Sequence, residues 1–301
     1  MIPFKPYFEG IEQSPHKRIV TSQRCIRTND IDQVGKTKRH LTGFTMLGNF
    51  SFGDYWKEES ISMGWELVTQ AYDINPKHLI ITVHPDDQET QGIWSKYLPK
   101  ERIILTEENI WSSGIPGILG KCTEFFYDFQ PEDELKSINL DSDRFLEFYN
   151  IVFIDSKVNE DGQTNPLDLK CVDSGLGLER LTYILGGFDS VYDTFDQETI
   201  NPAIKDHLRT CNWIIEQGVK PSNSKHGYVL RKLTRRMFRE GYKPSGDVIF
   251  IKEYQKYQQI LQLSEEKLNK LSNPTEQDLL NLYQTFGIPV EISKQILNNR
   301  R

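Results

Sequence analysis

The sequence predicts an α+β domain followed by an all-helical one, and two observations carry that expectation. Through the first part of the 301 residues, short apolar runs such as 79–83 and 145–154 alternate with helical periodicity across Gly- and Pro-rich turns. From about Glu198 the apolar spacing becomes that of helices alone. The boundary is expected near residue 195, giving domains 1–195 and 196–301, each able to bury its own core.

Taken in order, the elements follow from local chemistry. A helix is expected over 58–70 and strands over 79–83 and 145–154, where apolar residues run together. Residues 172–180, Val-Asp-Ser-Gly-Leu-Gly-Leu-Glu-Arg, place two glycines and an arginine before an apolar helix, a strand-to-helix turn that suits a phosphate; a plain packing turn is the alternative. Ile200, Ile204, Leu208, Cys211 and Ile215 mark a helix closed by Gly218, and Tyr254, Tyr257, Leu261, Leu268 and Leu271 mark another. Thr275-Glu-Gln-Asp278 resembles a capping box, opening a last helix that ends near Gly287.

Composition excludes several classes. Hydrophobic residues make up 37% and charged residues 26%, and no run approaches the ~18–20 apolar residues of a membrane span. The start, Met1-Ile-Pro-Phe-Lys, lacks a charged-then-apolar signal pattern, so a cytoplasmic protein without a membrane partner is expected. Cys25, Cys122, Cys171 and Cys211 are scattered, without disulfide density or C-x-x-C spacing, which points to reduced thiols and no zinc.

The net charge of −7 is unevenly spread. Between residues 222 and 243 stand Lys225, Arg231, Lys232, Arg235, Arg236, Arg239 and Lys243 against Glu240 alone. On a helix Arg231, Arg235 and Arg239 fall at i, i+4 and i+8, with Lys232 and Arg236 beside them and Leu230, Leu233 and Met237 on a buried stripe. A solvated charged face and a phosphate-binding face both fit this pattern, and its single sign favours phosphate.

Two further blocks lie upstream: Thr21-Ser-Gln-Arg-Cys-Ile-Arg27, and Arg39-His-Leu-Thr-Gly-Phe-Thr-Met-Leu-Gly-Asn-Phe-Ser-Phe-Gly-Asp-Tyr-Trp-Lys57. With 172–180 they resemble motifs 2 and 3 of the class II aminoacyl-tRNA synthetases, and motif 2 is similar, nearly letter for letter, to that of the alanyl family. The block from Asp206 to Arg236 resembles the helical acceptor-stem domain of that family, so the likeness spans essentially the whole chain. It implies an antiparallel sheet flanked by helices, followed by an all-helical domain. It also implies a ligase that uses ATP and Mg²⁺ to activate alanine and passes the alanyl group to tRNA.

The resemblance assigns residues to this chemistry. Arg27 matches the arginine that bridges the α-phosphate and the substrate carboxylate, a task suited to a planar guanidinium fork. Arg180 matches the arginine on the γ-phosphate, and Phe44 the aromatic beneath adenine. Trp111, Asn150, Val152, Asp173 and Gly175 match the residues around alanine, with Asp173 offering a carboxylate to the ammonium. Glu147 is the candidate Mg²⁺ ligand. Lys225, Arg231, Arg235, Arg236, Arg239 and Gln284 are the candidate tRNA contacts.

Four departures from the family pattern stand out. The chain opens at the end of motif 1. The motif 2 loop lacks a Gly-Gly-Lys-His segment between Thr28 and Asn29. Lys225 and Gln284 occupy positions where the family has an asparagine and an aspartate that read the G·U pair at the third acceptor-stem position. No editing signature follows, which is consistent with a form lacking the editing and C-terminal domains. The altered readers leave open a non-tRNA acceptor, such as a carrier protein, peptide or metabolite, or a non-catalytic RNA-binding paralogue.

Overall fold

The computed structural model describes residues 2–135, 138–195, 201–286 and 288–298. The chain divides into two compact units, 1–198 and 199–301. The boundary expected at 195 adjoins residues 196–200, which lie outside the described residues, as do the expected helix start Ile200 and helix end Gly287.

The first unit opens with a short helix α1 (Lys5–Phe8) and strands β1 (Arg18–Ile26) and β2 (Gly43–Phe52). Helix α2 (Lys57–Glu66) runs into a π-helical turn, Leu67–Ala71, so the helix expected over 58–70 forms but changes pitch near its end. Then come β3 (Leu79–Val83), α3 (Gln88–Trp94), β4 (Ile103–Leu105), β5 (Ile110–Ser112), β6 (Gly117–Asp128), β7 (Phe145–Val158), β8 (Thr164–Gly177) and α4 (Leu178–Gly186). The strands form an eight-stranded sheet in the order β1-β2-β8-β7-β6-β3-β4, with β5 also paired to β6. Pairing is antiparallel except between β3 and β4, a parallel edge that the expectation of a purely antiparallel sheet did not include.

The two faces of the sheet differ. On one, Tyr149, Ile151, Phe153, Val172 and Leu176 pack with Ile61, Trp94, Leu181 and Ile184 into the main core, so α2, α3 and α4 cover this face. On the other, Phe50, Phe52, Ile118, Val152, Ile154 and Cys171 form a smaller core with Phe8. The central strand β7 is apolar on both sides for this reason, which makes its run of hydrophobic residues continuous rather than alternating.

The second unit is helical: α5 (Pro202–Glu216), α6 (Lys225–Arg239), α7 (Val248–Leu268), α8 (Glu276–Phe286) and α9 (Val290–Asn298). Leu271, expected on the third of these, lies past its end but still packs against the core of the unit. The capping box holds: Thr275 donates its N–H and hydroxyl to Asp278 Oδ2 (2.8 and 2.7 Å), and Asp278 N–H points back to the Thr275 hydroxyl. The helix it opens is followed by α9, which the sequence analysis missed because Pro289 reads as a terminator; a proline just ahead of a helix costs nothing, since no backbone donor is needed there. Among the described residues no helix is long and apolar enough to cross a membrane.

Candidate active site

Strand register decides which side chains share the face opposite the helices. Because residues alternate sides along a strand, Phe44, Met46, Gly48 and Phe50 of β2 point the same way as Asp173, Gly175 and Gly177 of β8. Val152 lies directly across from Asp173, and Asn150 directly across from Gly175. Trp111 pairs with Gly120 of β6. Every residue expected around alanine is therefore on this face, within the adjacent strands β7 and β8 and the short strand β5.

Gly48 and Gly175 stand opposite one another in the same row as Asn150. The space above them is taken by side chains of β2: a Cβ on Gly175 would lie 2.7 Å from Met46 Sδ and one on Gly48 2.8 Å from the Phe50 ring, so no larger residue fits at either position. Trp111 and Val152 pack into the smaller core.

A β-bulge brings in Glu147. Phe125 pairs with Tyr149 while Phe126 pairs with Glu147, so Phe148 is an extra residue on β7. Without the bulge Glu147 would share the helix-covered face with Tyr149; with it, Glu147 turns to the open face. There it meets Arg180, whose Nη1 donates to the Glu147 carboxylate at 2.9 Å and to its backbone oxygen at 2.6 Å. Arg180 stands in the first turn of α4; Gly175 and Gly177 belong to the end of β8, which passes directly into the helix, so the strand-to-helix junction expected there forms without a separate glycine turn.

A cleft opens beside this row, lined by Arg27, Arg39, His40, Phe44, Met46, Glu147, Gly175 and Arg180, with Asp30 and Glu179 among its other walls. The Arg27 guanidinium lies 5.7 Å from the Phe44 ring centroid, a cation–π approach that keeps both groups at the cleft wall. Both Glu179 oxygens accept from the Thr45 N–H (2.9 and 2.8 Å), which anchors α4 to β2. Burial, followed by the charges of Arg180, Arg39 and Arg27, holds His40 below the usual imidazole range. Arg39 and His40 were quoted in the motif 2 block but not singled out; a run of basic side chains ahead of a predicted strand was the available signal.

The structure thus gathers the residues in two adjoining groups. Arg27, Phe44, Glu147, Gly175 and Arg180 line the cleft. Trp111, Asn150, Val152 and Asp173 sit deeper on the same face and do not line it. Burial pushes the Asp173 carboxyl up to about 6. A further carboxylate went unremarked in the sequence: Glu124 of β6, directly across from Asn150, accepts from Asn150 Nδ2 and from the Thr82 hydroxyl, each at 3.1 Å. Burial and then the neighbouring Glu147 charge push it to about 7. An acid in the middle of the largely apolar strand 117–128 was the signal for it.

The candidate tRNA contacts lie in the second unit. Leu230, Leu233 and Met237 are fully buried, as expected. The cations are not one uniform face, however. Arg236 is only 7% exposed, and Arg235 Nε donates at 3.0 Å to Glu253, an acid on α7 that is itself buried. Arg231 donates to Asn223. The exposed cations of α6 are Lys225, Lys232 and Arg239, spaced by seven residues and so on one side of the helix. Helical spacing alone could not show that α7 brings an acid to Arg235. Gln284 is exposed on α8.

A two-faced sheet with helices behind it, an arginine-lined cleft in front and the Asp173 carboxylate on the same face suits a class II synthetase catalytic domain. The family model for class II (A) tRNA synthetases matches residues 1–258, and the chain belongs to that family. It is 37% identical to the alanine–tRNA ligases of Prochlorococcus marinus strains MIT 9515 and AS9601, over 100% and 98% of this chain and 41% and 40% of theirs. The chain therefore spans about 40% of the length of these curated relatives. A histidyl-tRNA synthetase from S. aureus, 12% identical, aligns over 78% of this chain and 65% of its own, with a TM-score of 0.35.

Proposed function

We propose that this chain activates alanine. The alanine carboxylate attacks the α-phosphorus of ATP, pyrophosphate leaves, and the alanyl group of the resulting adenylate passes to the 3′ end of a tRNA. The observation that carries the proposal is the register: Asp173 opposite Val152 and Asn150 opposite Gly175 set a carboxylate and an amide in adjacent rows of one face, beside a cleft lined by Arg27, Phe44 and Arg180.

The roles follow from the chemistry. Asp173 receives the substrate ammonium, and Trp111 with Val152 leaves room for a methyl group. Arg27 bridges the attacking carboxylate and the α-phosphate, holding the two anions in line and stabilising charge that develops on phosphorus. Phe44 stacks on adenine, and Arg180 draws the γ-phosphate. Mg²⁺ bound with the nucleotide would neutralise part of the triphosphate charge. Glu147 fits it as a single carboxylate donor, since Mg²⁺ takes hard oxygens from carboxylate and phosphate together. Among the described residues no three His, Cys, Asp or Glu side chains group to hold a metal, so the ion would depend on the nucleotide for its other ligands.

A second reading concerns only the acceptor. Arg235 is neutralised by Glu253 and Arg236 is buried, so α6 offers fewer open cations than its sequence suggests, and Gln284 stands at a reader position. These observations favour transfer to a carrier protein, peptide or metabolite.

ATP–pyrophosphate exchange with a panel of amino acids, followed by transfer of labelled alanine to total tRNA, tests both. Alanine should be the best substrate, with glycine and serine weaker, because a missing or added small group changes binding by only about 1–3 kcal/mol. A larger amino acid as best substrate would sink the pocket assignment. Exchange without tRNA charging would select the second acceptor.

A further inference from the structure

Asn150 presents an unusual hydrogen-bond state. Its Nδ2 donates to Glu124, yet its Oδ1 is buried and accepts nothing from the described residues. An unpaired buried amide oxygen is costly unless a ligand supplies the donor. Asn150 shares a row of the sheet with Gly175 and Gly48, next to the row of Val152 and Asp173 on the same face. A substrate ammonium has three N–H donors, of which a single carboxylate does not use all.

The direction of the amide has a cause. Asn109 Nδ2 donates to the Thr82 hydroxyl oxygen at 3.0 Å, which leaves the Thr82 hydrogen for Glu124 Oε2 at 3.1 Å. An ionised Glu124 can only accept, so Asn150 must turn its nitrogen toward Glu124 and its oxygen away. Asn109 thus donates to Thr82, and Thr82 and Asn150 both donate to Glu124.

We propose that Glu124 is a positioning residue: its carboxylate fixes the Asn150 amide with Oδ1 toward the substrate ammonium, so that Asn150 and Asp173 share that group. The proposal rests on the alanine-activating reading. Oε1 accepts from Asn150 while Oε2 faces the Thr82 hydroxyl, so the two oxygens divide the work of holding the amide and of joining the Thr82 chain. The groups that face Glu124 are Thr82 on β3, Glu108 ahead of β5, Cys122 on its own strand, Asn150 and Glu147 on β7, and Arg180 on α4. Burial, Glu147 and Glu108 favour its neutral form, whereas Thr82 and Arg180 favour its charged form.

The test uses pyrophosphate exchange by the full chain. Glu124→Leu is expected to raise KM for alanine about tenfold, the size of one lost hydrogen bond to a charged group, with KM for ATP and kcat changed less than about threefold. Glu124→Gln should rescue, with KM for alanine within about threefold of the wild type, because its amide oxygen still accepts from Asn150. In an Asn150→Ala background, Glu124→Leu should add nothing.

An unchanged KM for alanine in Glu124→Leu, or a full further rise in the Asn150→Ala background, overturns the proposal. If Glu124→Leu does not fold, Glu124→Met, close in size and without an acceptor, decides by the same criterion, and an unchanged KM for alanine in it overturns the proposal. Absence of alanine-dependent exchange in the wild type would instead strike at the underlying reading and remove the proposal with it.

Discussion

Asp173→Asn is expected to make the protein more stable and inactive at once. The Asp173 carboxyl is pushed by burial to about 6 from an ordinary value of 3.8. Its folded-state pKa is raised, so the stability it contributes is fully present below about pH 3.8 and is lost as pH rises through about 6. The difference of roughly two pKa units corresponds to about 3 kcal/mol at pH 8 and about 1 kcal/mol at pH 4.5, taken as upper values because buried sites relax. Asparagine has nearly the same shape and carries no charge, so it should recover that amount. Urea unfolding followed by tryptophan fluorescence is the measurement, since Trp56, Trp65, Trp94 and Trp111 all lie in the 1–198 unit. The same variant should lose alanine-dependent exchange by about 100-fold or more, the effect of removing one partner from a desolvated charge pair. A loss of stability at pH 8, or an equal gain at both pH values, would refute the account of a buried charge kept for binding.

The remaining predictions concern other parts of the chain. Arg27→Lys should be nearly as harmful to exchange as Arg27→Ala at saturating ATP and alanine, because an ammonium cannot span carboxylate and phosphate; recovery with lysine would reduce Arg27 to diffuse charge. Arg144→Ala should destabilise the first unit by about 3–5 kcal/mol in urea unfolding, since Arg144 holds both oxygens of the fully buried Asp128 at 2.8 and 3.0 Å; a change below about 1 kcal/mol would mean that Arg102, 3.8 Å away, suffices. If tRNA is the acceptor, charging should depend little on a G·U pair at the third acceptor-stem position, given Lys225 and Gln284, yet fall with salt and with Lys232→Glu or Arg239→Glu. Charging of an alanine tRNA and its G·C variant side by side checks this, and strong G·U dependence would show that other residues read the pair. Arg235→Glu is the poorer variant, because it would set a second carboxylate against buried Glu253.

The sequence by itself determined the chemistry available to the site. A phosphate-seeking turn needs glycines followed by an arginine, and residues 172–180 display that in consecutive positions. Helices α5, α7 and α8 were legible for the same reason: periodicity and capping act over a few residues, so they are written locally. What depended on partners distant in sequence was not legible. The bulge at Phe148, which turns Glu147 toward Arg180, arises only when β7 pairs with β6. Glu124 becomes a neighbour of Asn150 through the same pairing, 26 residues apart. Glu253 comes to Arg235 by helix packing, and this divides a stripe of cations that looks uniform along α6. Charge and hydrogen-bond state depend on what surrounds a group rather than on its position in the chain, so only the tertiary structure could decide which of these side chains stand open and which are already engaged.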